Sequence, residues 1–130
     1  MKILVGYCGK EEEKNLLEHA VKHAKAFDGR ILLATSMRGG EEVELKEFSL
    51  AERKLEKAKE FIEQQGVKVE AELLVRGLSA GEDLVQFAKE VDVEEIIIGV
   101  RSRSKVGKLI FGSTAQFIIL HADCPVLAVK

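Results

Sequence analysis

One segment of the chain, residues 99–114, concentrates small and basic residues in a pattern typical of an anion-binding loop. It carries four basic residues and no acidic one, and acidic residues are absent from the whole of 96–122. The basic residues are Arg101, Arg103, Lys105 and Lys108. Because the full chain has a net charge of −2, this local excess of positive charge predicts an attraction for negatively charged ligands.

The small residues at the two ends of this segment predict contact between a ligand and the backbone. Gly99 ends an apolar run and has no side chain to obstruct a ligand. Residues 112–114, Gly-Ser-Thr, precede a helical pattern, and the unpaired N–H groups of a helix N-terminus attract anions. A glycine-rich loop that merely caps a helix has the same composition. A phosphate or nucleotide site and a plain capping loop therefore both stay open on the residues alone.

Three familiar phosphate-handling sites are not matched. Residues 107–114 resemble a P-loop, but Ser113 occupies the position of its essential lysine. No G-x-G-x-x-G pattern follows the first predicted strand, which disfavours a classical dinucleotide fold. A receiver domain requires acidic residues after its first and third strands, where this chain has Cys8 and Arg76.

The sequence offers no set of residues typical of catalysis or of metal binding. No general base is identifiable, so we expect at most slow hydrolysis of a bound nucleotide, and whether the chain is an enzyme stays open. His19 and His23 stand four residues apart in a helical pattern, but a third metal ligand is missing. We expect both histidines, and the acidic residues of 11–13 and 41–47, to be solvated.

The elements that must position the candidate residues alternate between short apolar runs and helical patterns. The runs predict strands at 2–7, 30–35, 67–75, 95–99 and 125–129. Apolar residues at helical spacing predict helices at 11–27 and 51–66.

Two further helices are predicted from capping boxes, in which a serine precedes Glu or Gln by three residues. One begins at Ser79, and the other begins at Ser113 and ends at His121. The polar stretch 36–48 is predicted to be a surface loop.

This alternation predicts an α/β fold, with one doubly wound five-stranded parallel sheet and helices on both faces. Apolar and charged residues alternate in the third strand, which places it at an edge and gives the strand order 3-2-1-4-5. The winding then reverses between the first and fourth strands, and ligands bind at such a switch point, beyond the carboxyl ends of the strands. We expect the loops 6–10 and 100–111 to converge there.

Composition narrows the possible partners and surroundings. With 20 basic and 22 acidic residues, the chain lacks the overall basicity of a nucleic-acid-binding protein. No apolar run reaches the roughly 20 residues that span a bilayer, and the N-terminus has no signal-peptide pattern. Cys8 and Cys124 form no disulfide framework. We therefore expect a cytoplasmic protein with no nucleic-acid or membrane partner.

The chain resembles the universal stress protein family over its whole length. The ATP-binding branch of that family carries G-x2-G-x9-G-[ST] after the fourth strand. Gly99, Ser102, Gly112 and Ser113 stand at those spacings here. The tail 113–129 resembles the family's ending, and residues 3–10 align with its opening.

The resemblance implies a universal-stress-protein-like domain over 1–130 that binds ATP or a related adenine nucleotide in stress response or signalling, with Mg²⁺ as a candidate companion. The residues implied to bind phosphates are Ser102, Gly112, Ser113 and Thr114. Those implied to neutralise charge are Arg101, Arg103 or Lys105. Those implied to line the base and ribose are Gly6, Tyr7, Cys8 and Thr35. Those implied to form the floor are Ile98 and Gly99.

Two departures from the family pattern favour an alternative function. Cys8 stands where relatives carry an aspartate that helps hold the nucleoside, and Ser102 replaces the second motif glycine. The alternative is a dimeric interaction protein of the same fold that no longer binds nucleotide. Under either function we expect a homodimer, because the apolar edge strand 126–129 invites pairing and family members commonly dimerise through it.

Overall fold

The computed structural model of the chain describes residues 1–10, 13–39, 45–100, 102–103, 109–110 and 112–130. For 102–103 and 109–110 it describes the backbone alone. Among the described helices, none has both the length and the apolar content that a membrane crossing requires.

The described residues form seven strands, five of which make one parallel sheet. The strands are β1 (Lys2–Gly6), β2 (Arg30–Met37), β3 (Val69–Val75), β4 (Glu95–Gly99), β5 (Ser102–Arg103), β6 (Leu109–Ile110) and β7 (Val126–Val129). The sheet has the order β3-β2-β1-β4-β7, and every neighbouring pair in it is parallel. Since β7 is the fifth predicted strand, the predicted order 3-2-1-4-5 is confirmed.

In the described part of the chain, four helices cover both faces of the sheet, as predicted. They are α1 (Lys14–Ala26), α2 (Leu45–Gln64), α3 (Ala80–Glu90) and α4 (Ser113–His121). Apolar residues of α1 and α2 pack with the face of β1 that presents Ile3 and Val5. Those of α3 and α4 pack with the opposite face, which presents Leu4. This alternation follows from the two-residue period of side chains along a strand.

Burial explains the position of each strand in the sheet. The three central residues of β1 and of β4 are buried, as expected for strands covered by helices on both sides. In β3, exposed and partly buried residues alternate, and the strand lies at the edge. The continuous and alternating patterns of the sequence therefore predict the central and edge strands correctly.

The segment predicted as a loop at 36–48 is in part regular structure. β2 extends to Met37 because Ser36 and Met37 pair with Leu74 and Val75 of β3. At the other end, α2 already begins at Leu45. Residues 40–44 lie outside the described part of the chain.

The two predicted capping boxes do not form. Ser79 is the N-cap of α3, but its hydroxyl donates to the Glu82 carboxylate, 2.6 Å away, and makes no cap hydrogen bond to the backbone. The N-cap of α4 is Gly112 rather than Ser113, and the amide of Gln116 donates to the Gly112 carbonyl at 3.0 Å. Both helices begin near the predicted places without the predicted side-chain caps.

A two-stranded antiparallel ribbon, absent from the predictions, interrupts the segment between β4 and α4. Its strands, β5 and β6, pair Ser102 with Ile110 and Arg103 with Leu109. With two residues in each strand, the ribbon is too short to produce a periodic sequence signal.

We predict that Ile97→Ala, on the central strand β4, lowers the free energy of unfolding by about 2–5 kcal/mol, because it leaves a cavity in a close-packed core. Ile97 has no exposed surface. The matched control Val75→Ala, on edge strand β3 where the side chain is 42% exposed, changes that free energy by about 0.5 kcal/mol or less. Chemical denaturation measures both. Equal losses would contradict the packing assigned to the two strands.

Candidate functional site

A cavity of about 530 Å³ opens at the carboxyl ends of β1 and β4, the point where the winding of the sheet reverses. Its volume lies within the range of small-molecule sites. The lining residues are Gly6, Tyr7, Cys8, Lys10, Glu13, Leu16, Ser36, Ala80, Leu84, Ile98, Gly99, Val100, Gly112, Ser113, Thr114, Ala115, Ile118, Val129 and Lys130. Parallel strands place their carboxyl ends at the same edge, so residues far apart in sequence meet here.

Most of the residues singled out from the sequence come together in this cavity. Those that line it are Gly6, Tyr7, Cys8, Ile98, Gly99, Gly112, Ser113 and Thr114. Of the rest, Arg101, Lys105 and Lys108 lie outside the described residues, and Ser102 and Arg103 are described by their backbone in β5 alone.

Thr35 does not line the cavity, contrary to expectation. It is buried, and its hydroxyl donates to the Tyr7 carbonyl at 2.7 Å. The next residue, Ser36, lines the cavity instead. Because neighbouring residues of a strand point to opposite faces, a shift of one position changes which side chain reaches the site.

The N-terminus of α4 opens into the cavity. Gly112, Ser113, Thr114 and Ala115 all line it, and no described side chain caps the first turn of the helix. The N–H groups of a first helical turn have no partner within their own helix, and together with the helix dipole they attract negative charge. Apart from its chain neighbours, no atom of the described residues would lie within 4 Å of a Cβ added at Gly112, so the described part of the chain leaves the approach to these N–H groups open.

The loop after β1 is held by the buried carboxylate of Glu13, which the sequence analysis wrongly placed in solvent. Glu13 is 8% exposed. The amide of Cys8 donates to its two oxygens at 3.1 and 3.0 Å, and the amide of Lys10 donates at 2.8 Å. No capping pattern in the sequence predicts these contacts, because Glu13 is itself the N-cap residue of α1 and makes no side-chain cap hydrogen bond.

The charged residues at the cavity are unevenly engaged. Glu13 already accepts three amide hydrogen bonds, whereas Lys10 and Lys130, both exposed, are among the residues that line the cavity. Charge-assisted hydrogen bonds from amides stabilise the carboxylate in place. Two lysines and the positive end of a helix dipole therefore remain to attract an anion.

The cavity wall also includes a hydroxyl that is hydrogen-bonded to a buried ion pair. Ser36 donates through Oγ to Oδ2 of Asp83 at 2.6 Å, and Asp83 has no exposed surface. Arg76 donates from Nε to Oδ1 of Asp83 at 2.6 Å and from Nη1 to Glu90 at 2.6 Å. Its guanidinium also lies 5.7 Å from the ring centre of Phe87. No pattern in the sequence predicts this cluster.

Charge pairing in that cluster shifts two pKa values in opposite directions. The hydrogen bond with Glu90, and then those with Asp83, raise the pKa of Arg76 above its usual value. The same hydrogen bond to Arg76 lowers the pKa of Glu90. Arg76 thus stays a cation that holds the buried Asp83 carboxylate in position.

The two histidines of α1 do not converge on one point. The ring Nδ1 of His19 lies 3.0 Å from the carbonyl of Asn15. His23 is not solvated as expected, because its ring Nε2 lies 2.8 Å from the Glu95 carboxylate. Within the described part of the chain, no group of three or more His, Cys, Asp and Glu side chains is placed to hold a metal ion.

We predict that Tyr7, the single tyrosine, ionises above its usual pKa of 10.0, because burial and then the charges of Glu13 and Cys8 raise that pKa. Glu13→Gln should lower the pKa while leaving it above 10.0, since burial is the larger cause. Absorbance of the tyrosinate against pH measures the shift, and Glu18→Gln, an exposed acid on the same helix, is the control. A native pKa at or below 10.0 would contradict this environment.

Comparison with known proteins places this architecture in a family. The whole chain, residues 1–130, matches the Universal stress protein family. A universal stress protein of Mycolicibacterium smegmatis is 33% identical over 128 residues, which cover 98% of this chain and 96% of that protein.

Two solved structures extend the likeness to three dimensions. A universal stress protein from Archaeoglobus fulgidus has a TM-score of 0.92 and 37% identity, covering 100% of this chain and 98% of that one. The universal stress protein from Archaeoglobus fulgidus in complex with dAMP has a TM-score of 0.87 and 32% identity, with the same coverage. Fold, family match and identity agree, and this chain belongs to the universal stress protein family.

Proposed function

We propose that the cavity binds an adenine nucleotide, ATP or a related one, with the phosphates at the N-terminus of α4 and the base toward β2. The observation that carries this proposal is the uncapped first turn of α4, which opens into a cavity of about 530 Å³ at the switch point. Helix N-termini of this kind are common phosphate sites. Lys10 and Lys130 supply positive charge on the same wall.

A related structure supports the class of ligand. The Archaeoglobus fulgidus protein in complex with dAMP is 32% identical to this chain and covers all of it. An adenine nucleotide has the anionic end that the N-terminus of α4 attracts. It also has an aromatic base suited to the apolar wall that Leu84, Ile98 and Ile118 provide.

The glycines give such a ligand access to the backbone. A Cβ at Gly99 would lie 3.8 Å from Leu16 and 4.0 Å from the Val129 carbonyl, which is ordinary van der Waals contact. Without a Cβ, a ligand can occupy that space next to the backbone. The hydroxyls of Ser113 and Thr114 and their amides would bind phosphate oxygens, and Gly6, Tyr7 and Cys8 would line the nucleoside. These roles are those that the family resemblance implies.

Mg²⁺ would enter with the phosphates rather than on a protein carboxylate. The acidic side chain that lines the described part of the cavity is Glu13, and its oxygens already accept hydrogen bonds from the amides of Cys8 and Lys10. Mg²⁺ is commonly held by substrate phosphates and water, with few protein ligands. The residues present therefore fit a metal that is carried by the nucleotide.

We propose binding, with at most slow hydrolysis, as the activity of this site. A general base must reach the attacking water with an available lone pair. Glu13 is committed to amides, and the described lining contains no histidine. Occupancy of the site by nucleotide would then be the signal in a stress response. If the site binds without efficient hydrolysis, a long incubation of the protein with ATP should release little ADP.

The chain is also proposed to form a homodimer through β7. This edge strand leaves Leu127 37% exposed, and Ile119 and Leu120 of the preceding helix α4 are 44% and 68% exposed. An apolar edge strand offers unpaired backbone groups that a second copy can pair with. Symmetric pairing of the same strand in two copies satisfies both edges at once.

Substitution of Gly112 tests the nucleotide site. Gly112→Asp should fold, because a Cβ there meets nothing within 4 Å and aspartate is a favourable N-cap residue. Its carboxylate fills the approach to α4 and repels phosphate, so we expect calorimetry to detect no binding of AMP, ADP or ATP, with or without Mg²⁺. Gly112→Asn, which has the same shape and no charge, should keep part of the affinity. Unchanged affinity in the aspartate variant would contradict the site.

Charge on the edge strand tests the dimer. Leu127→Glu should convert a dimer into a monomer by burying a carboxylate in the interface. The control Val75→Glu, on the opposite edge strand β3, should leave the dimer intact. Sedimentation at micromolar concentration distinguishes the two states, and a monomeric unmodified chain would overturn this proposal.

A further inference from the structure

Ser36 is the polar side chain at the end of the cavity that lies under α3. It shares that wall with Ala80 and Leu84 of α3, which are small or apolar. Ser36 and the residues at the N-terminus of α4 line the same cavity. A ligand that fills this cavity with its anionic group at α4 would therefore contact Ser36 with another part of its surface.

The hydrogen bonds of Ser36 are decided by its neighbours. Asp83 has no exposed surface, and Arg76 donates to its Oδ1 at 2.6 Å while Ser36 lies 2.6 Å from its Oδ2. In the contact between Ser36 and Asp83, the hydroxyl donates and the carboxyl oxygen accepts.

This contact uses the one proton that the hydroxyl has. A serine hydroxyl carries a single O–H and two acceptor lone pairs. With the proton directed at Asp83, Ser36 can offer a ligand acceptor capacity alone. A ligand group that meets Ser36 must therefore be a donor, and a carbonyl oxygen placed there would face a lone pair.

We propose that Ser36, oriented by the Asp83–Arg76 pair, is a specificity-determining residue that selects purine nucleotides with an exocyclic amine at position 6. The inference rests on the proposed function, because that function places the base at this end of the cavity. The amine donates a hydrogen bond to Oγ of Ser36, whose own proton is directed at Asp83.

The direct test compares AMP with purine riboside 5′-monophosphate, which differs only in having hydrogen in place of the amine. We expect the unmodified chain to bind AMP about tenfold more tightly, the cost of one unmade hydrogen bond at a desolvated acceptor. Calorimetry measures both affinities. Equal affinities would overturn the role of Ser36 while leaving the proposed function in place, whereas failure of both nucleotides to bind would overturn the proposed function as well.

Two variants separate selection from a merely structural role. Ser36→Ala removes the acceptor, and Asp83→Asn turns its amide toward Ser36 so that the hydroxyl proton is released into the cavity. In either variant, the affinities for AMP and for purine riboside 5′-monophosphate should differ by no more than about twofold. Ser79→Ala is the matched control, because Ser79 also donates to a carboxylate, Glu82 at 2.6 Å, but does not line the cavity. It should keep the tenfold preference.

The ribose is the rival contact for Ser36. If Ser36→Ala keeps the preference for the amine but abolishes a preference for AMP over dAMP, Ser36 meets the ribose and the proposal fails. Thermal melting of each variant shows that it is folded, and Ser36→Ala keeps the test decisive if Asp83→Asn does not fold.

Discussion

The pairing of β1 with both β2 and β4 is the constraint on which the rest of the structure depends. Both pairs are parallel, and the chain reaches the two neighbours of β1 by winding in opposite directions. Helices must then leave the carboxyl ends of β1 and β4 toward opposite faces of the sheet. The cavity lies in the gap that this divergence leaves.

The walls of that gap differ in chemistry from one end to the other. At α4, the uncapped first turn of the helix favours negative charge. At β2, a hydroxyl whose proton is directed at a buried carboxyl group favours a hydrogen-bond donor. Gly6 and Gly99 also line the cavity, and a Cβ at Gly6 would lie 3.2 Å from Leu84. One part of the wall therefore suits an anionic group of a ligand, and another part suits a donor group.

Elements of the fold could be predicted where neighbouring residues along the chain form a clear pattern. The buried strands are continuous apolar runs in the sequence, and the edge strand β3 alternates apolar and charged residues. These two patterns were enough to predict the order of the strands in the sheet. The start of α2 was missed because its first turns bury no apolar stripe, and Leu45 and Leu50 are 84% and 46% exposed. The small ribbon of β5 and β6 was missed because two residues carry no period.

The polar cluster at the cavity could not be predicted for a different reason. Asp83 looks like an ordinary acid in the first turn of a helix. Its burial depends on Ser36, 47 residues away in sequence, and on Arg76 of the preceding loop. Likewise the burial of Glu13 depends on the amides of Cys8 and Lys10, which the fold brings to its carboxylate. Such contacts are tertiary, and no spacing rule encodes them.

A crystal structure of the chain grown with saturating AMP tests the central claim most directly. The account predicts phosphate oxygens about 2.7–3.2 Å from the amides of Ser113 and Thr114, with the base under α3 beside Ser36. A cavity without nucleotide at that concentration, or a nucleotide bound with its phosphates away from α4, would contradict it.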